Sequence, residues 1–593
     1  MASIAAPTWN LSDLFASPDD PRLLAVLETA KGDAEAFAQS HRERVADFGA
    51  DDLRVALAEY ERIQQEAQKP VAWASLQFSC DTSPENGAIL QRVRERHTEV
   101  TLPLLPFLLE LSRLDAETLT TFAATEALAA YRHFLLVTRN EARHKLSDDA
   151  ETVWEEAQNT GRRAWTRLWE ETTSALRFSV PGEDALTLSE TINRQFDPQR
   201  ETRERAATAL TDGLAPQQRT LAYIYNTLLA TKATEDRLRG FAFPEAARHL
   251  ENELSTEVVE TVVRTAESGY PLVARYYRAK RDLLNLPELF HYDRYAPLPG
   301  ELKEPIAFDA ARDICLAAFA GFDAEYAETA RAFFDNHWID GATQPGKRGG
   351  AYCAYVTADT HPYIFLNYLG KTGDVRTLAH ELGHGIHTSL ARPQGFLSFH
   401  GTLPMAEVAS TFAEQLVFDE MIRTAKSDEA RLALYAEQID QAVATVFRQT
   451  ALYRFEQGAH QARQVGEVPA ERFGELWQEA VGAMFAGSVT LAPGHASWWS
   501  YIPHFINTPF YVYAYTFGEL LAFSLYKQCR EQGAAIFAPK FKQFLSAGGS
   551  RTPQELVAPL GVDLSDAGFW GESLAVFAEQ VTAFETLAAR LKK

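Results

Sequence analysis

Along most of the chain, apolar residues recur at spacings of three and four, the period of amphipathic helices. Residues 22–80 read as two such helices, rich in Ala, Leu, Glu and Arg. Residues 149–178 read as one long helix carrying Trp154, Trp165 and Trp169, the last two one turn apart on one face. The pattern weakens over 178–196, where Pro181-Gly182 marks a turn, and a boundary is expected near residue 200. Helical periodicity resumes over 201–285. A proline-rich break follows at 298–305, and a second at 341–350. Two β-prone runs come next, 352–356 and 363–365, the clearest strand signal in the chain. From about residue 371 the period is helical again. The expected fold class is mainly α with a small β-sheet beside a helical stretch at 375–390.

Composition narrows the partners. The 593 residues are 46% hydrophobic and 23% charged, so an extensive core can form. The net charge of −23 repels phosphate backbones, and nucleic acid is not an expected partner. Cys80, Cys315, Cys353 and Cys529 lie far apart with no C-x-x-C pair. That pattern suggests neither a disulfide framework nor a thiolate metal site, and it suits a reducing compartment. The first residues lack the basic and apolar regions of a secretory signal. No run of about 18 apolar residues reaches the length of a membrane span. The expectation is a soluble, cytoplasmic protein with no membrane partner.

The candidate chemistry concentrates in Leu378-Ala379-His380-Glu381-Leu382-Gly383-His384. On a helix, His380 and His384 share a face and can bind one tetrahedral ion, with Glu381 beside them to activate water. Gly383 leaves room beside the site. A catalytic zinc keeps three protein ligands and one open position. The three-histidine extension of the motif fails here, because His387 stands where it requires glycine and Leu390 where it requires histidine. The other source is a following helix over 404–422, which opens on Pro404. Glu407 lies in its first turn and Glu414 seven residues on, projecting from the same face. Glu407 is the expected third ligand, and Glu414 is expected to fix the tautomer of a ligand histidine. Two glutamates alone would read as a solvated helix face. On this Ala- and Val-rich face, burying them without partners would be costly. The expected cofactor is one zinc ion per chain, although two His and one Glu also suit cobalt or manganese.

The run Asp374-Val375-Arg376-Thr377-Leu378-Ala379-His380-Glu381-Leu382-Gly383-His384, with Ala406-Glu407-Val408-Ala409-Ser410-Thr411 and Glu414, resembles the M3 oligopeptidases, above all the oligoendopeptidase F branch. Gly346-Lys347-Arg348-Gly349-Gly350-Ala351-Tyr352 is similar to that family's lead-in to its active-site strand. The tail Ser546-Ala547-Gly548-Gly549-Ser550, with Pro553, Gly561-Val562-Asp563 and Phe569-Trp570, is similar too. The resemblance implies a large helical body split by a deep substrate channel with zinc at its floor. It implies an N-terminal helical region, 1–200, with an oligopeptidase-F-like domain, and a catalytic domain over 201–593. It also implies hydrolysis of internal bonds in short peptides, the expected partners. In the aromatic segment 499–515 it implies oxyanion donors: His504 first, then Tyr511 and Tyr515, with Tyr513 a candidate for the core instead.

The strand pair has a substrate-binding reading. An open edge at 363–367, with Tyr363 and Asn367, would pair with a substrate backbone; a plain hairpin over the core is the alternative. Gly349 and Gly350 would permit close substrate approach or hinge motion. Two other functions remain open at this level. A terminus-dependent carboxypeptidase or dipeptidase would need a basic anchor, for which Lys347 and Arg348 are candidates. A helical peptide-binding protein with a structural metal would need a fourth ligand, for which His387 and His400 are the nearest spare residues.

Overall fold

In the computed structural model, residues 6–298 and 305–592 are described. The proline-rich break expected at 298–305 lies mostly outside them. Helices dominate, and one three-stranded sheet accompanies them, as the helical period along the chain requires. Contacts divide the chain into two compact units, each built from three stretches. The first comprises Met1–Arg143, Leu302–Thr424 and Leu525–Asp563, the second His144–Glu301, Ala425–Ser524 and Leu564–Lys593. The sequence boundary near residue 200 falls within the second unit.

In the first unit, residues 22–80 form the two expected helices, Arg22–His41 and Ala50–Cys80. A third, Pro84–Arg113, starts at Ser83, whose side chain accepts the Asn86 N–H, with Pro84 in the first turn where its missing N–H costs nothing. Their apolar faces meet in one core through Leu27, Leu53, Leu57, Trp73, Val93 and Leu104. In the second unit, the single helix expected over 149–178 is two helices, Asp148–Gln158 and Arg162–Ala175. Gly161, with ψ −120° outside the helical region, stands at the N-cap of the second. The break lets Trp169 turn inward, where its indole N–H donates to the Ser500 carbonyl at 3.0 Å.

The sheet has the order β1-β3-β2, with β1 Ile339–Asp340, β2 Tyr352–Ala354 and β3 Tyr363–Phe365. β2 and β3 form the antiparallel pair expected from the two β-prone runs, and β1, which is too short to show a period, joins β3 in parallel. β3 is therefore the central strand. The open edge expected at 363–367 does not exist, because both sides of β3 are taken. Tyr363 is fully buried and its hydroxyl bonds Asp13, so it ties down the N-terminal segment rather than lining an open groove. Asn367 is likewise occupied: its side-chain amide donates to the Arg348 and Gly350 carbonyls at 2.9 and 3.0 Å. Among the described residues, no helix is long and apolar enough to cross a membrane, and the four cysteines form no disulfide.

Lys347 closes the loop before β2 from inside. Its side chain is only 1% exposed, and its ammonium donates to Asp340 Oδ1 at 2.5 Å and to the Ala342 and Leu366 carbonyls at 2.7 and 2.8 Å. All three ammonium protons have acceptors, so Lys347 cannot anchor a substrate carboxylate. Removing this cation leaves Asp340 buried and uncompensated. Lys347→Met should therefore lower the unfolding free energy by about 3 kcal/mol in urea titration of the full chain. A loss below about 1 kcal/mol would show that the pair is not a structural tie of that kind.

Candidate metal centre

Helix Thr372–Ala391, called here the histidine helix, carries the H-E-x-x-H motif. Its start is fixed by Asp374, whose Oδ2 accepts the Leu369 and Lys371 N–H groups at 2.7 and 3.0 Å. The helix is buried on nearly every side. His380 and His384, one turn apart, set their rings 4.8 Å apart at 83° to one another. Helix Leu403–Thr424, the glutamate helix, packs against it and brings Glu407 from the start of its second turn, because the helix begins one residue before Pro404. Glu407 Oε2 stands 3.5 Å from His380 Nε2 and 3.8 Å from His384 Nε2.

Gly383 allows this meeting. A Cβ there would lie 2.6 Å from the Ala409 carbonyl oxygen and 2.6 Å from Ser410 Cα. The two backbones touch where a side chain would hold them apart, so the glycine does more than leave room beside the site. Gly385, two residues on, gives the same relief to the Phe333 ring.

The residues around the three ligands orient them. His380 Nδ1 bonds Glu414 Oε1 at 2.6 Å, and Arg376 donates to Glu414 Oε2 at 2.8 Å. With a proton held on Nδ1 by Glu414, Nε2 would be left facing Glu407, the form in which His380 could bind a metal. Burial favours a neutral Glu414, but His380 and Arg376 outweigh it and hold the carboxyl below its ordinary value. Burial also works against a charged His380, yet its pKa rises to about 10, chiefly through Glu414. His384 goes the other way: burial and the His380 charge keep it neutral, the form that binds metal. The Tyr355 hydroxyl lies 3.3 Å from His384 Nδ1, and Ser410 donates to Glu407 Oε2 at 3.2 Å.

Glu381 is 5% exposed, and its Oε2 has no hydrogen-bond partner among the described residues. Burial raises its pKa to about 7; the charge of His380 opposes the rise, and Glu407 and Glu414 add to it. A buried carboxylate oxygen with nothing to accept from is costly in a purely structural role.

The donor set fits a zinc ion. Two imidazole nitrogens and one carboxylate oxygen, all within 4.8 Å of one another, are the only such group of three or more among the described residues. Tetrahedral bonds of about 2.0–2.1 Å would bring ligand atoms to about 3.4 Å apart, close to the two separations from Glu407. His387 is buried and faces the Phe544 ring at 6.4 Å, while His400 packs against Phe399 and Tyr355. Neither joins the group among the described residues.

The other predicted residues are placed as follows. Gly349 and Gly350 are exposed, and a Cβ on either would meet nothing within 4 Å; Gly350 takes φ +88°. In the second unit, His504 lies 6.2 Å from the Tyr511 ring and 6.0 Å from the Tyr515 ring, and those two are 4.9 Å apart edge to face. Tyr513 is buried and its hydroxyl receives a bond from Asn252 at 2.8 Å, so it packs in the core. Sequence reasoning missed Arg376, Tyr355 and Ser410. Arg376 was findable, because it sits one turn before His380 and shares its face. Tyr355 and Ser410 gave no periodic signal.

The model of peptidase family M3 matches residues 195–576, and that of oligopeptidase F matches residues 110–178. The chain belongs to peptidase family M3. This M3 chain is therefore a metallopeptidase. It is 25% identical over 603 residues to oligopeptidase PepF of Bacillus subtilis, covering 99% of this chain and 88% of that one. Group B oligopeptidase PepB of Streptococcus agalactiae is 26% identical, with 98% and 97% covered. The fold is shared with a peptidase from Chlamydophila abortus, at a TM-score of 0.83 and 22% identity over 98% of both chains. It is shared as well with oligoendopeptidase-F from Enterococcus faecium, at a TM-score of 0.72 and 22% identity over 96% and 98%.

The close helix contact has a direct consequence. Gly383→Ala forces the two helices apart and withdraws Glu407 from the histidines. Zinc affinity of the purified variant, measured by competition with a chromophoric chelator, should fall at least about tenfold, as it does when ligand positioning is lost. Unchanged affinity would mean that the helix contact does not govern the ligand set.

Proposed function

We propose that this chain is a zinc endopeptidase that hydrolyses internal bonds of short peptides in the cytoplasm. The observation that carries the reading is the pairing of His380, His384 and Glu407, which could together hold a metal, with the buried Glu381 carboxyl, whose Oε2 has no partner among the described residues. A zinc ion held there supplies a Lewis acid for the scissile carbonyl and lowers the pKa of water. Glu381 accepts a proton from the attacking water and returns it to the leaving amine nitrogen. Its pKa near 7 suits a group that must do both at neutral pH. Glu414 and Arg376 hold His380, and Ser410 holds Glu407, so neither ligand needs to reorganise. His504, Tyr511 and Tyr515 donate to the oxyanion as it develops. The grouping of their three rings supports that role.

Substrate backbone adds to β2 rather than to β3. β2 pairs only with β3 among the described strands, so its other side has backbone groups to offer an extended peptide. Such recognition reads main chain and tolerates varied side chains. The burial of Lys347 removes one of the two basic anchors a terminus-dependent enzyme would use, which favours endopeptidase action.

The test is an internally quenched, end-blocked peptide of about ten residues, sized for a pocket-like site. Cleavage should occur at an internal bond, stop with a chelator and return with zinc. Glu381→Gln should keep one zinc per chain and lose turnover by at least about a thousandfold, since both proton transfers lose their base. Cleavage only of peptides with a free terminus, or near-native turnover by Glu381→Gln, would contradict the reading.

A further inference from the structure

The turn that leads into Tyr511 is gripped by one face of helix Arg448–Val465. Tyr453, Glu456 and His460 lie on that face at spacings of three and four, and Phe510 meets all of them. Its ring stands 6.0 Å from Tyr453 and 4.6 Å from His460, and its backbone N–H donates to Glu456 Oε1 at 3.0 Å. Phe510 is fully buried at φ +57°, a left-handed conformation that a bulky aromatic rarely adopts. Such a conformation persists only where the surroundings over-determine it. Here Arg248 donates to the Pro509 carbonyl at 3.3 Å, Tyr511 N–H donates to the Thr508 carbonyl at 3.1 Å, and the Tyr513 hydroxyl is held by Asn252.

Glu456 is the unexpected member of this set. It is fully buried, and among the described residues it makes no ion pair and its Oε2 has no hydrogen-bond partner. A carboxyl in that position is hard to account for by packing, since an apolar residue of its size would avoid the desolvation cost. Its one bond goes to the strained amide. Burial raises its pKa to about 8, against the pull of the Phe510 N–H and of Arg248 and with the help of Glu245. At neutral pH the neutral acid can therefore serve as acceptor.

We propose that Glu456 is a positioning residue: by holding the Phe510 amide it fixes the left-handed turn that presents Tyr511 to the substrate. The proposal rests on Tyr511 being an oxyanion donor. It assigns to a buried acid of the second unit a part in turnover through the backbone alone.

Four variants of the full chain test it on the end-blocked peptide. Tyr511→Phe should lower kcat about a hundredfold, the effect of removing one oxyanion donor. Glu456→Ala should lower kcat at least about tenfold while KM stays within about twofold and zinc content is unchanged, because only transition-state contact is lost. Glu456→Gln should keep kcat within about threefold, since its amide oxygen accepts the same bond. In the Tyr511→Phe background, Glu456→Ala should cost less than about twofold more, because the two act as one unit. If Glu456→Ala does not fold, Glu456→Met keeps the volume and takes its place. Full multiplication of the two effects, or a Gln variant as slow as Ala, would overturn the proposal. Native kcat in Tyr511→Phe would remove the donor role itself, a failure seen without touching Glu456, and the proposal would fall with it.

Discussion

At Gly383 two helix backbones come closer than any side chain would permit, and the geometry of the metal centre follows from that contact. The histidine helix supplies two imidazoles one turn apart, which any helix can do. The third ligand must come from another element, and its distance is set by how near that element can approach. With hydrogen alone at Gly383, the backbone at Ala409 and Ser410 comes in to where a Cβ would stand 2.6 Å away. Glu407, one turn earlier, then reaches both histidines from its own short side chain. A longer reach would cost rotamer freedom and precision, and a ligand set loose by about 1 Å loses its function.

A second layer of charge makes this arrangement durable. Arg376, Glu414 and His380 form a chain of hydrogen bonds in which Arg376 and Glu414 are buried and His380 is part-buried. Each member would be costly alone, and together they satisfy one another. The chain leaves Nε2 of His380 facing Glu407, at 3.5 Å from its Oε2. It also raises the electron density of that imidazole, which strengthens it as a ligand. Glu381 is left out of the network. Burial, with the neighbouring Glu407 and Glu414 carboxylates, raises its pKa towards neutrality.

Much of this site was legible in the sequence because it is written at helical spacings. His380 to His384, Glu407 to Glu414 and Arg376 to His380 are all multiples of a turn, and a period of 3.6 places them on shared faces. What depends on non-local pairing was not legible. β1 is two residues long and carries no period, so nothing in the chain announced that it would cover one side of β3. The edge expected there vanished with that pairing, and Tyr363 and Asn367 changed from substrate contacts to structural ties. The break at Gly161 was hidden for a different reason, since an isolated glycine inside a helical pattern is usually tolerated. Glu456 looked like one more charge on a helix, and its burial against Phe510 is a tertiary fact.

The central claim is that the chain binds one zinc through His380, His384 and Glu407 and leaves a position open for chemistry. The measurement that addresses it most directly is X-ray absorption at the zinc edge on the zinc-loaded protein. Two imidazole nitrogens and oxygen neighbours at about 2.0–2.1 Å, one of them exchangeable with solvent, are the expected shell. A sulfur neighbour at about 2.3 Å, or a fully protein-bound shell containing a third imidazole, would contradict it.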